Sequence, residues 1–182
     1  MSDDLTAKDK VLQQLFDLAA RDPWQWLLMA KDLGSIAEET WKNREQKPTT
    51  PAFEQTFVLG REYTRVRISF ALLGTAFENI FKAIIVMRNP NFVTNGTLST
   101  DFPATHDLNL LLNKVDWTLR PEEVFLLRRL SAYILWFSKY PVPKSFEKLA
   151  IAELNHVDFE RGIDLCARLL NLAVQEIMPT NE

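Results

Sequence analysis

Two oppositely charged side chains set four positions apart are the residues of this sequence whose chemistry is easiest to interpret. Glu78 and Lys82 interrupt a long apolar segment, and their spacing and order favour an ion pair along one face of an α-helix. With Thr75 close by, they are candidates for a polar pocket between helices, where buried charged groups bind ligands. The alternative, which we favour, is an ion pair that neutralises two charges where helices pack.

A second candidate is His106, which lies in Thr105-His106-Asp107 just before an apolar run. A histidine near a helix N-terminus can act as an acid, a base or a phosphate contact. The alternative, which we favour, is that Thr105 caps the helix, Asp107 offsets its dipole and His106 is simply exposed.

A third candidate is a stripe of aromatic and basic residues with helical spacing. The stripe consists of Arg129, Tyr133, Trp136 and Tyr140. Arg128 and Lys139 lie on the adjoining row. Rings interleaved with cations can stack on bases and contact phosphates. The alternative is that the rings pack on another helix while the charged ends reach water, and we favour it, although this is the best candidate surface.

Other catalytic patterns are absent from the sequence. His106 and His156 are far apart, and neither belongs to a metal-binding pair such as HExxH. No glycine-rich phosphate loop and no GxSxG turn occurs. Cys166, the single cysteine, lies on an apolar helical stripe and is interpreted as a core residue. The sequence therefore predicts no metal site, no cofactor and no catalytic residue.

Composition and charge indicate a single soluble unit. The chain has 182 residues, of which 47% are hydrophobic, and a net charge of −3. A net negative charge does not attract nucleic acid or anionic membranes. The polar N-terminal residues MSDDLTAKDK lack the apolar core of a signal peptide, so a cytoplasmic location is predicted. Because Glu78 and Lys82 lie in the longest apolar segment, we interpret it as a buried helix rather than a membrane span.

Helical periodicity predicts an all-α bundle built around one long helix. Its apolar positions alternate by four and three: Val66, Phe70, Leu73, Phe77, Ile80, Ile84 and Met87. A helix could start as early as Thr50-Pro51 and run into this one, with Gly60 as its weak point. Asn95-Gly96 marks a turn within the long loop that follows.

The N-terminal residues 1–47 are predicted to form a helical hairpin packed on the bundle of residues 48–182. Thr6 caps the first helix, and Asp22 with Pro23 starts the second. The apolar side of the first helix consists of Val11, Leu12, Leu15, Phe16 and Leu18. Towards the C-terminus, further helices are expected from Pro121, with Glu122 and Glu123 in its first turn, from Ser145 and from Asp158.

Several segments together resemble the HEPN superfamily of prokaryotic helical bundles. ALLGTAFENIFKAIIV resembles the family's core helix, with Glu78 and Lys82 in place of its acidic residue and lysine, and THDLNLLL resembles its "tHdLxxLl" helix. LRRLSAYILWFSKYPVP is similar to the "W-x-x-[RK]-Y-P-x-P" ending of one HEPN-like group. The matching residues are Trp136, Lys139, Tyr140, Pro141 and Pro143.

The resemblance covers Thr64 to Ile177 and implies a HEPN-like bundle, frequent dimerisation, and a link to toxin–antitoxin or phage-defence systems. Many HEPN proteins are metal-independent ribonucleases whose arginine and histidine lie four to six residues apart on one helix. No arginine here is followed by a histidine at that spacing. The family's catalytic residues therefore have no counterpart in this chain.

Two functional hypotheses follow. The first is a non-catalytic HEPN-like protein that works by binding, as a homodimer or with a small protein partner, and without a membrane or a metal. The second is a divergent RNA-directed nuclease whose site lies around His106, Arg128, Arg129 and Tyr140.

Overall fold

The computed structural model describes residues 6–44, 55–137 and 154–178, with the backbone alone for 55–63 and 136–137. The helices of this part are α1 (Ala7–Arg21), α2 (Pro23–Lys42), α3 (Gln55–Arg88), α4 (Leu108–Val115), α5 (Pro121–Ala132) and α6 (His156–Ile177). A 3-10 turn (Pro90–Phe92) and two short strands, β1 (Val93–Thr94) and β2 (Thr97–Leu98), follow α3. The protein is mostly helical, which confirms the all-α prediction.

Helix α3 is the centre of the fold. It has 34 residues and runs through Gly60 without a break. Its side chains Phe70, Phe77 and Ile84 are fully buried, because α2 packs along it and α4, α5 and α6 also contact it. Thr64–Arg88 is long and apolar enough to span a membrane, but 72% of the apolar window is buried inside the fold. It is thus a core helix, as predicted from the presence of Glu78 and Lys82 in its apolar segment.

The first two helices begin at the predicted residues. Thr6 Oγ1 accepts a hydrogen bond from the Asp9 backbone N–H, and the Asp9 side chain accepts one from the Thr6 backbone in return. Asp22 accepts a hydrogen bond from the Trp24 backbone N–H at 3.0 Å, and Pro23 occupies the first turn of α2. The predicted boundary at residue 47 lies outside the described residues and stays a prediction.

Two predicted helix starts are each wrong by two residues. Asp107, not Thr105, caps α4, because its carboxylate accepts hydrogen bonds from the backbone N–H groups of Asn109 and Leu110. Thr105 instead accepts a hydrogen bond from the Asp107 backbone. Helix α6 begins at His156 rather than at Asp158. Asn155 caps it, and Asp158 completes the capping box from the third helical position.

The predicted loop after α3 contains a small β-hairpin. Asn95 and Gly96 both have positive φ, 53° and 74°, as a two-residue hairpin turn requires. Val93 pairs with Leu98 in the antiparallel register. The Gly96 N–H donates to Asp17 of α1 at 2.8 Å, so this hairpin holds α1 against the fold.

Helix α5 is followed directly by a turn of different winding. Tyr133–Phe137 form a π-helical turn, which holds more residues per turn than an α-helix and shifts the side chains that follow. The predicted stripe from Arg129 to Tyr140 is counted with α-helical spacing, and that spacing does not hold across this turn. The helix predicted from Ser145 and the segment Pro141-Val142-Pro143 lie outside the described residues.

Candidate functional site

Glu78, Lys82 and His106 meet on one side of α3. Lys82 Nζ lies 2.5 Å from Glu78 Oε1, and His106 Nδ1 lies 2.8 Å from Glu78 Oε2. The side chains of Glu78 and Lys82 are only 9% and 11% exposed, whereas that of His106 is 45% exposed. Each carboxylate oxygen therefore has its own nitrogen partner, and the histidine forms the outer edge of the site.

Phe102 covers the inner part of this site. Its ring centroid lies 5.6 Å from Lys82 Nζ, at a distance typical of a cation–π contact. The ring is itself held by aromatic contacts with Trp26 of α2 and Phe92 of the 3-10 turn. The ring of Phe102, in the segment between β2 and α4, therefore covers the ion pair from one side.

The hydrogen bond to Glu78 orients the imidazole ring of His106. When Nδ1–H donates to the carboxylate, the lone pair on Nε2 is left to accept a proton. This arrangement is suited to proton transfer, and it also serves as a tether between α3 and the start of α4. Among the described residues, no group of three metal-binding side chains lies close enough together to hold an ion.

The structure agrees more closely with the prediction for Glu78 and Lys82 than with that for His106. The prediction that Glu78 and Lys82 are close and largely buried is confirmed. His106 is exposed, as the favoured interpretation expects, but its ring also contacts a buried carboxylate, which that interpretation did not include. The two residues are 28 positions apart and belong to different elements, so no local sequence pattern signals their contact.

The aromatic and basic stripe is partly taken up by packing. Tyr133 is buried, and its ring centroid lies 5.2 Å from that of Phe70. Arg129 is mostly covered and forms an ion pair with Asp158 of α6 at 3.3 Å. These contacts favour the packing interpretation for Tyr133 and Arg129. Arg128, on the adjoining row, is exposed. The side chain of Trp136, and Lys139 and Tyr140 altogether, lie outside the described part of the chain.

A second buried carboxylate, Glu123, lies at the start of α5. Its Oε1 accepts hydrogen bonds of 2.6 Å from both Arg120 and Arg168. Burial alone would raise the pKa of Glu123, but the hydrogen bonds from Arg120 and the ion pair with Arg168 hold it below its ordinary value. The sequence indicated only that Glu123 suits a helix N-terminus, because Arg168 lies 45 residues away.

A cavity of about 490 Å³ lies beside Glu123, between α5 and α6. Its lining carries three arginines and four carboxylates: Arg120, Arg161, Arg168, Glu122, Glu123, Asp158 and Asp164. Because charges of both signs line it in similar number, the cavity favours neither an anion nor a cation.

The side of α1 that contacts the fold is polar. Asp17 accepts the hydrogen bond from Gly96, and Arg21 Nε donates to the backbone oxygen of Val93 at 3.0 Å. No residue of α1 is buried. Its large apolar side chains are between 41% and 69% exposed: Val11, Leu12, Leu15, Phe16 and Leu18. We call these five residues the outward face of α1.

The sequence located the apolar side of α1 but did not reveal its orientation. A hairpin packed on the bundle would turn this side inwards, whereas the structure turns it towards solvent. The reason is that two polar anchors, Asp17 and Arg21, fix the opposite side to the β-hairpin. A contiguous exposed apolar surface of this kind is typical of an interaction site.

Cys166 is buried, and burial raises the pKa of its thiol to about 12. It is thus a core residue, as predicted.

In comparisons with known proteins, no family model, no curated protein and no solved structure matches the chain.

Proposed function

We propose that this protein is a non-catalytic, HEPN-like interaction protein that binds another protein chain through the outward face of α1. The observation that carries the proposal is the orientation of α1, whose polar side holds it to the fold while five large apolar side chains face solvent. Such side chains are ordinarily the ones that a folded protein buries. Their exposure in the isolated chain indicates a surface that a partner covers.

The energetics favour a partner. Full burial of one leucine or phenylalanine side chain is worth about 1.5–3 kcal/mol. Five such side chains on one helix therefore offer a substantial driving force, even after the entropic cost of association. A protein surface suits them better than RNA, because they carry no cation and no donor for phosphate.

The HEPN-like assignment rests on the sequence motifs around Glu78, His106 and Trp136. The absence of an arginine followed by a histidine at the family's spacing supports a non-catalytic role. A cytoplasmic location and a link to toxin–antitoxin or phage-defence systems belong to the same proposal.

The experiment compares two variants that each add one carboxylate to the middle of α1. Leu15→Glu places it on the outward face, and Gln14→Glu places it about 100° around the helix. Wild-type protein added at high concentration to a cell extract should sediment faster than its monomer, as should Gln14→Glu, whereas Leu15→Glu should sediment as a monomer. Monomeric sedimentation of all three proteins would overturn the proposal.

A second candidate function is RNA-directed catalysis, which the 2.8 Å contact between His106 and Glu78 favours. With Nδ1 held by the carboxylate, Nε2 is positioned to take a proton from a ribose 2′-hydroxyl. The 2′-oxygen then attacks the adjacent phosphate, and the bond from phosphorus to the 5′-oxygen breaks. The imidazolium returns its proton to the departing 5′-oxygen, which leaves a 2′,3′-cyclic phosphate and a free 5′-hydroxyl. Arg128 is the exposed arginine that the sequence associated with this site.

This candidate is tested by incubating the purified protein with mixed RNA in the presence of EDTA. Cleavage that His106→Gln and Glu78→Gln both abolish would establish the catalytic function. Intact RNA with the wild-type protein would exclude it and leave the binding function.

A further inference from the structure

We infer that the partner on the outward face of α1 is a second copy of this chain, whose α1 packs antiparallel to the first with the two-fold axis at Leu15. This inference rests on the proposed binding function and names its partner. It concerns residues outside the segment that resembles the HEPN family.

The outward face is centred on Leu15. Successive residues of an α-helix are rotated by about 100°, so Val11, Leu12 and Leu18 all lie within about 60° of Leu15. A two-fold axis through the centre of the face brings Leu15 against the same residue of the second copy. It also sets the apolar residues that precede Leu15 against those that follow it in the other copy, so the apolar surfaces coincide along the helix.

The charges at the two ends of α1 favour the antiparallel arrangement. Lys8 lies seven residues before Leu15, and Asp22, the residue that directly follows α1, lies seven residues after it. An antiparallel pair sets Lys8 of each copy against Asp22 of the other, whereas a parallel pair sets like charges together. The side chain of Asp22 is held in place, because it accepts hydrogen bonds from the Trp24 backbone and the Gln25 side chain.

The size of the surface predicts a weak and reversible dimer. Helix α1 has 15 residues and is therefore about 22 Å long. One face of such a helix covers less than the roughly 800 Å² per partner of a standard interface. The interface is therefore at the lower end of known interface sizes. We expect a dissociation constant on the order of micromolar or weaker.

Disulfide crosslinking tests the position of the two-fold axis. Two α-helices packed about 10 Å apart, each with a radius of about 2.3 Å, bring facing Cα atoms to about 5 Å. A disulfide requires Cα atoms roughly 4.4–6.8 Å apart. Purified Leu15→Cys should therefore form a covalent dimer on mild oxidation.

Leu18→Cys is the matched control. Leu18 is the most exposed apolar residue of α1, so it would crosslink best if exposure alone decided the result. In the antiparallel dimer, however, its two copies are offset by about 9 Å along the helices, beyond the reach of a disulfide. Cys166 does not interfere, because its thiol is buried. Circular dichroism of both variants checks that they fold.

The expected result is rapid dimerisation of Leu15→Cys, little dimerisation of Leu18→Cys, and concentration-dependent sedimentation of the wild-type protein. Equal crosslinking of both variants would overturn the inferred register. Monomeric wild-type protein at every concentration, together with no crosslinking of Leu15→Cys, would overturn self-association. If an extract then still yields a complex that Leu15→Glu disrupts, the binding function stands and a different protein is the partner.

Discussion

Helices α3 and α1 use amphipathic sequence in opposite ways. In α3 even the charged residues Glu78 and Lys82 are buried, because other helices and Phe102 cover them. In α1 even the large apolar residues are exposed, because Asp17 and Arg21 fix the polar side to the fold. The comparison separates a helix that stabilises the protein from a helix that is available to a partner.

The largest expected effect comes from removing one side chain from each helix. Phe77→Ala removes a fully buried ring from α3 and should lower the free energy of unfolding by about 3–5 kcal/mol, since a cavity is left behind. Leu15→Ala on α1 should change it by less than about 0.5 kcal/mol. Chemical denaturation measures both, at low protein concentration so that association does not contribute. A similar loss from both variants would show that α1 is packed in solution.

A second prediction compares a buried ion pair with an exposed ion pair of the same spacing. Glu78→Ala leaves the Lys82 ammonium buried without its carboxylate, which costs about 3–5 kcal/mol when one partner of a buried pair is removed. Glu38→Ala is the matched control, because Glu38 and Lys42 form a pair of the same spacing at 2.6 Å on the exposed side of α2. An exposed pair of this kind contributes about 0.3–0.5 kcal/mol. Equal shifts of the urea midpoint would contradict the burial of the Glu78 site.

The contrast between α3 and α1 also shows what the sequence can and cannot predict. The apolar periodicity around Phe77, the caps at Thr6 and Asp22, and the Asn95-Gly96 turn are local patterns, and the structure confirms them. The contact of His106 with Glu78 joins elements that are distant in sequence. The orientation of α1 depends on Asp17 meeting Gly96, 79 positions away, so it could not be predicted locally.

Glu123 extends the comparison to a third region, where a buried carboxylate is held by exposed arginines. Its pKa lies below its ordinary value in the folded state, so its ionised form stabilises the fold above about pH 4.5. That stabilisation is lost as the pH falls through the lowered folded-state pKa. Glu123→Gln should therefore lower the urea midpoint at pH 7 and have a much smaller effect in strong acid. A difference from the wild type that is the same at both pH values would contradict this assignment.

The smallest expected effect tests the ends of the outward face. Lys8→Glu sets a carboxylate against Asp22 of the second copy, so the dimer should dissociate several-fold more readily at low salt. Lys10→Glu makes the same change of charge in α1, but about 140° around the helix from Leu15, and should leave the dimer unchanged. Sedimentation equilibrium measures both variants.

Salt concentration distinguishes direct pairing from a general effect of charge. Exposed charges are screened over about 10 Å at 0.1 M salt and about 3 Å at 1 M. The difference between Lys8→Glu and the wild type should therefore shrink in concentrated salt, while the apolar contacts around Leu15 keep the dimer together. A loss of association that is equal for Lys8→Glu and Lys10→Glu would show that net charge, rather than the pairing of Lys8 with Asp22, controls the dimer. In that case the antiparallel direction would rest on the contrast between Leu15→Cys, which crosslinks, and Leu18→Cys, which does not.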